Sequence, residues 1–182
     1  MTDQEETRAL KRNLAAFAQL FVGVKEVGGN NQGEFVRMFQ RAVDGKAQGE
    51  PWCSSFACYC IKASSLLFSK AFEKPDLRNS YKLKLSESVM NFWTSSSSDY
   101  RLEKPEVGCL ILWRRWTAGE PTWMGHIEIV TEILSEKTVQ TVGGNTSSDD
   151  PNSRDGDGVY LKKRDITKNY GSLRPLGFLR VF

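Results

Sequence analysis

The chain has one histidine in 182 residues, no apolar run near the roughly 18 to 20 residues that a membrane span needs, and no dense basic block. Any chemistry that needs an imidazole therefore has a single source, His126. Membrane insertion is not expected, and neither is a nucleic-acid groove, because the net charge of +3 and the pI of 8.7 come from scattered Lys and Arg. That mild charge suits an anionic cell surface. Internal repeats and an interdomain linker are also lacking, so residues 1–182 read as one domain, long enough to bury a continuous core. The N-terminal MTDQEETRALKRN is polar and acidic where a secretory signal has a basic start and an apolar block. The expectation is synthesis in the cytoplasm, with some route other than its own signal carrying the protein to any site outside.

What is present is an ordinary globular composition, 40% hydrophobic and 26% charged, whose periodicity changes along the chain. Thr2 with Glu5 forms a capping box, and Leu10, Leu14, Phe17, Phe21 and Val24 predict a helix over about residues 3–25. GGNNQG at 28–33 is a loop, and Phe35, Met38, Phe39, Ala42 and Val43 make the stripe of a second helix. A third begins directly after Pro51, with Phe56, Ala57, Cys60, Ile61, Ser64 and Leu67 at helical spacing. Ser86 is expected to cap a short fourth helix through Val89, Met90 and Trp93, ended by the serine run 95–98. Beyond it the pattern turns to strands: GCLILWRRW, GHIEIVTEIL, KTVQTVG, GVYLKK and LGFLRVF. Helices first and antiparallel strands afterwards argue for an α+β domain.

GEPWCSSFACYC, residues 49–60, packs three of the four cysteines into eight positions. Zinc would want ligand pairs such as C-x2-C, whereas Cys53, Cys58 and Cys60 are spaced by five and two, which a helix points in different directions. A disulfide framework does not suit a chain of this length in a reducing compartment. Cys58, Cys60 and Cys109 read as small buried hydrophobes. Cys53 differs because it lies in the first turn of its helix, where the dipole and unpaired backbone N–H groups favour thiolate. It is the candidate nucleophile, and His126, at the start of a strand in WMGHIEIV, is the only imidazole able to hold it as an ion pair and to protonate a leaving amine.

The order VGVKEVGGNN, PWCSSFACYC, KPEVGCLILW, GHIEIV and VGGNTS, over about Phe17 to Ser147, resembles the CHAP group of cysteine, histidine-dependent amidohydrolases/peptidases, particularly small bacterial and phage cell-wall hydrolases; the terminal LGFLRVF also fits. Each motif is short, and their order and separation carry the likeness. The resemblance implies a papain-like fold, with the cysteine opening a central helix packed on an antiparallel sheet. It implies Cys53 as nucleophile and His126 as base, no cofactor, and peptidoglycan as substrate, cut either between N-acetylmuramic acid and L-alanine or within stem and cross-bridge peptides. The expected mechanism is acyl transfer, with the Cys53 N–H as first oxyanion donor and Gln48 as candidate second. Trp52, Trp113, Trp116 and Trp123 flank the motifs; Trp52 and Trp123 are taken as substrate-binding, while two of the four tryptophans are expected in the core. A monomer is expected, working at the bacterial cell wall as a phage lysin or an exported effector, the latter with a delivery system or an immunity protein as partner. Two other readings are a non-catalytic cell-wall binding module that keeps the hydrolase fold, and an intracellular cysteine protease or deamidase.

The chain departs from that pattern in two places. Where many relatives have Glu-Gly-Asn, it has Gly143-Gly144-Asn145, leaving the acidic position empty. Where relatives tend to have a small residue two places after the histidine, it has Glu128, on the same strand face as His126. Asn145 is expected to orient the imidazole, as in papain-like sites, because residues i and i+2 stand roughly 6.5 to 7 Å apart and a carboxylate at 128 reaches less easily. Calcium-dependent relatives carry aspartates before the cysteine, for which Asp44-Gly45-Lys46 is no substitute, and the acidic SDDPNSRDGDG lacks the alternate-position ligands of a calcium loop and reads as a solvated turn. Hydrolysis should therefore survive EDTA; complete loss restored by calcium would place a metal in that acidic loop.

Overall fold

In the computed structural model, residues 2–147 and 156–182 are described. Helix α1 (Asp3–Gln19) starts at the expected capping box: Thr2 Oγ1 accepts from the Glu5 N–H at 3.3 Å and Glu5 Oε2 accepts from the Thr2 N–H at 2.7 Å. It stops at Gln19, short of the expected residue 25. The following segment is claimed by extended pairing instead: the Gly23 N–H donates to the Val159 carbonyl and the Glu26 N–H to the Asp157 carbonyl. Phe21 and Val24 still pack on the core from this turn.

Helix α2 (Glu34–Asp44) ends at Gly45, whose φ of 85° is the left-handed C-terminal conformation that glycine adopts without cost. Helix α3 (Cys53–Ala71) is buried on most of its circumference, with Phe56, Cys58, Cys60, Ile61 and Ser64 among its interior residues. Phe68 continues that face by four residues from Ser64, so Leu67, expected inside, is turned outward and half-exposed. Helix α4 (Val89–Ser95) is capped by Ser88, whose Oγ accepts from the Asn91 N–H; Ser86, the expected cap, lies two residues earlier and its Oγ accepts the N–H of Ser88 itself.

The strands are β1 (Arg101–Leu102), β2 (Leu110–Thr117), β3 (Glu120–Ser135), β4 (Thr138–Thr146), β5 (Gly158–Asp165) and β6 (Leu173–Leu179). Among the described residues they form one antiparallel sheet in the order β1-β6-β2-β3-β4-β5. With the four helices this is the α+β architecture that the change of periodicity indicates. Short β1 carries no sequence signal of its own. Alternation divides the sheet: Leu110, Leu112, Ile127, Ile129 and Val142 pack with α1, α2 and α3, while Ile111, Trp113, Val130, Val139 and Leu173 form a second cluster on the other face. No helix among the described residues is long and apolar enough to cross a membrane.

The contact between α3 and β4 sets the position of Cys53. A Cβ at Gly144 would lie 2.5 Å from the Trp52 indole and 2.8 Å from the Phe56 Cβ, so the absence of a side chain there lets the first turn of α3 rest directly on the strand. Gly144→Ala is expected to lower stability by about 1–3 kcal/mol, the range for overpacking a filled core, read as a lower urea midpoint at unchanged slope. An unchanged midpoint would show that helix and strand are not in forced contact.

Candidate active site

Cys53 is the first residue of α3, behind Trp52 at the N-cap position, and no side chain caps that helix start. The amide groups of the opening turn have no carbonyl four residues earlier, and they face the cysteine end of the helix. Trp52 is fully buried, stacks on Phe39 at 5.5 Å between ring centroids, and donates its indole N–H to Glu26 Oε1 at 2.8 Å. It anchors the cysteine turn and does not line a substrate groove, contrary to the sequence expectation. Cys53 itself is 8% exposed and opens on a cleft of about 410 Å³ with His126, Asn145, Arg164, Glu50 and Trp123 on its walls.

His126 projects from β3 opposite Trp113 of β2. Its Nε2 stands 3.2 Å from Glu128 Oε1, which leaves Nδ1 for the thiol side. Burial by itself would lower the pKa of the ring, but the neighbouring Cys53 sulfur and Glu128 carboxylate outweigh it and raise the value to about 9. Glu128 is buried too. Burial pushes its carboxyl upward, yet Arg164 and His126 together hold it below the usual carboxylate range. Arg164 Nε lies 3.0 and 3.2 Å from the two carboxylate oxygens, and the Thr141 hydroxyl donates to Oε2 at 2.9 Å.

The orienting contact thus differs from expectation. The Asn145 side-chain amide donates to Asn31 Oδ1 at 2.7 Å and lies 3.5 Å from Glu26 Oε1, and among the described residues its hydrogen bonds go there and not to His126. Two features explain the exchange. A glutamate is long enough to lean back along its own strand, and the space it needs is vacated by Gly143, where a Cβ would fall 2.9 Å from Glu128 Cγ and 3.3 Å from His126 Nε2. Gly143 on β4 leaves the room and Glu128 on β3 fills it: the carboxylate reaches the imidazole from the histidine's own strand. Asn145, at a φ of 50° and inside a β4 register shift, ties the strand end to the 28–33 loop.

The remaining expected residues separate. Trp123 is 76% exposed on the rim of the cleft, where it can meet a ligand. Trp113 joins Trp52 inside, and Trp116 is half-buried with Arg174 over its ring, so two of the four tryptophans are core. Gln48 is exposed in the loop before Pro51, outside the cleft lining. Among the described residues no group of three His, Cys, Asp or Glu side chains is arranged to hold a metal; the acidic stretch lies, for residues 148–155, outside them. Sequence reasoning missed Arg164, which sits at the end of the run Lys162-Lys163-Arg164 and looks there like part of a solvated face. It also missed Glu26 and Asn31, which hold Trp52 and Asn145 from the loop side.

The four free thiols are unequal. Burial pushes Cys58 and Cys109 up to about 12 and Cys60 well above the ordinary thiol range, whereas Cys53 meets the cleft and the imidazole. Limiting iodoacetamide under native conditions is expected to label Cys53 well before the other three, as mapped by peptide mass spectrometry. Equal labelling would remove the basis for a distinct nucleophile.

The comparisons with known proteins agree with this geometry in kind. No curated protein and no solved structure matches the chain. A family model described as the CHAP domain matches residues 45–145, over half the chain, from the loop before the cysteine turn to Asn145. The papain-like arrangement of a cysteine-bearing helix on an antiparallel sheet accords with it, and the chain belongs to the CHAP domain family, whose members are of amidohydrolase/peptidase type.

Proposed function

We propose that the protein is a peptidoglycan hydrolase that cleaves amide bonds of the bacterial cell wall through a covalent thioester. The observation that carries this reading is the buried line Cys53, His126, Glu128 at the wall of an open cleft in a CHAP-family chain. Cys53 attacks the amide carbonyl as thiolate, and the negative charge that develops on oxygen is met by the backbone N–H groups at the start of α3. His126, as imidazolium, gives its proton to the departing amine. Water then attacks the thioester while the neutral imidazole takes a proton from it, and the thiolate leaves with the new carboxylic acid released, restoring the thiolate-imidazolium pair. Glu128 acts on the ring from its far side, holding orientation and favouring the charged form. The empty acidic position at 143 would by itself favour a non-catalytic wall-binding module; the carboxylate supplied by Glu128 removes that support.

Peptidoglycan zymography with muropeptide mass spectrometry tests the reading. Wild type should clear the polymer, Cys53→Ala should clear nothing while keeping its fold, and the products should be free stems with a new N-terminal alanine or shortened, unlinked stems. A protein that sediments with the wall and releases nothing would be a binder. The pH profile has a defined sign: because His126 is raised to about 9, its proton is available below that pH and activity falls as pH rises through it. An alkaline limb near the ordinary histidine value would contradict the His126–Glu128 pairing.

A further inference from the structure

We propose that Arg164 is a positioning residue of the reaction, a role that rests on the hydrolase reading above and acts through Glu128: it clamps the buried carboxylate so that one oxygen is fixed toward the imidazole. A lone carboxylate on β3 would have rotational freedom and a heavy desolvation cost. Here both oxygens are occupied. Arg164 reaches Oε2 through Nε and Oε1 through both Nε and Nη2, Thr141 donates to Oε2, and Oε1, so held, also faces His126 Nε2. The guanidinium is itself fixed, being 5% exposed, with its carbon 4.6 Å from the Tyr170 ring centroid and 5.7 Å from that of Trp113. Tyr170 is held in turn, its hydroxyl accepting the Asp165 N–H at 2.6 Å. This is a rigid column, Tyr170, Arg164, Glu128, His126, Cys53, crossing from the second core cluster to the cleft.

The charged and titratable groups around the carboxylate come from each neighbouring element. From α3 comes Cys53, beyond the imidazole; from β3, His126; from β5, Arg164; and from the β5–β6 connection, Tyr170 behind the guanidinium. Strand β4 offers Thr141 and Gly143, and β2 offers Trp113. Arg164 is the largest of the influences that lower Glu128 against burial. Without it the carboxyl takes up a proton at higher pH and the imidazole loses its anionic partner.

Arg164 also lines the cleft, so a direct contact with substrate is the competing explanation. A double-mutant cycle separates the two. Arg164→Met, Arg164→Lys, Glu128→Gln and the double variant Arg164→Met with Glu128→Gln are compared by kcat and KM on peptidoglycan fragments, by the iodoacetamide rate of Cys53 against pH, and by NMR titration of the ring. The chain has one histidine, so that signal is unambiguous. Expected are a kcat about 10- to 100-fold lower in Arg164→Met with KM little changed, an acid limb moved upward in pH in both alkylation and ring titration, and partial rescue by Lys. In the Glu128→Gln background the Arg164→Met change should add less than about 3-fold. The proposal is overturned if folded Arg164→Met leaves the acid limb in place, if only KM rises, or if the full loss persists in the Glu128→Gln background. Melting curves identify a Met variant that does not fold, in which case the Lys variant carries the comparison. Ring titration and alkylation need no substrate, so a moved limb in a protein that cuts no peptidoglycan would uphold the positioning role while refuting the hydrolase reading.

Discussion

The buried Glu128 carboxylate is the constraint around which the site is organised. An ionised carboxylate at 1% exposure costs several kcal/mol unless its lone pairs are met. Arg164, Thr141 and His126 meet them from three adjacent strands, β5, β4 and β3. The order of the sheet is therefore also the order of the site: a register slip of one residue in β3 would turn His126 and Glu128 into the helix-facing core and bring Ile127 to the imidazole position. The hydrophobic alternation that packs Ile127 and Ile129 under α3 is the same alternation that aims the catalytic candidates the other way.

That division raises the question of how a cysteine on the helix side meets a histidine on the opposite face. The meeting occurs at the strand end, where β4 loses its side chains. Gly144 admits the Trp52–Phe56 turn of α3 on one face, and Gly143 admits Glu128 and the imidazole on the other. Two consecutive glycines thin the sheet at one point, and Asn145 then leaves the regular strand in a left-handed conformation, joined to Asn31. Gly143-Gly144-Asn145 is a spatial device with a separate task for each residue, where a sequence pattern alone presents a glycine pair and a missing acid.

Legibility follows the range of the interactions. The capping box at Thr2, the helix opening at Cys53 and the strand alternation are local, and they could be read from a few neighbouring residues. The end of α1 could not, because its apolar spacing continues through Val24 while the distant segment at Asp157 and Val159 takes the backbone. Nor could the orienting residue. Spacing along one strand speaks against Glu128, but what decides is an absent Cβ on another strand. Arg164 was hidden for the same reason: a basic run looks solvated until the strand pairing shows that its last member turns inward.

Choosing a carboxylate over an amide at the imidazole changes the electrostatics of the pair it serves. An asparagine partner would leave thiolate and imidazolium as the only charges, neutral in sum. Glu128 adds a third charge and Arg164 a fourth, so the buried column carries minus, plus, minus and plus from Cys53 to Arg164 when the ion pair is formed. Each charge then has an opposite neighbour, and the net is again zero. The arginine thereby makes a buried carboxylate tenable where an asparagine needs no such partner: it keeps the orienting group ionised against burial, so that the imidazole retains its anionic neighbour. A glutamate at this position without a buried cation behind it would be free to turn and would take up a proton at higher pH, leaving the ring without a fixed anionic partner. The two residues are in that sense one functional unit, contributed by β3 and β5.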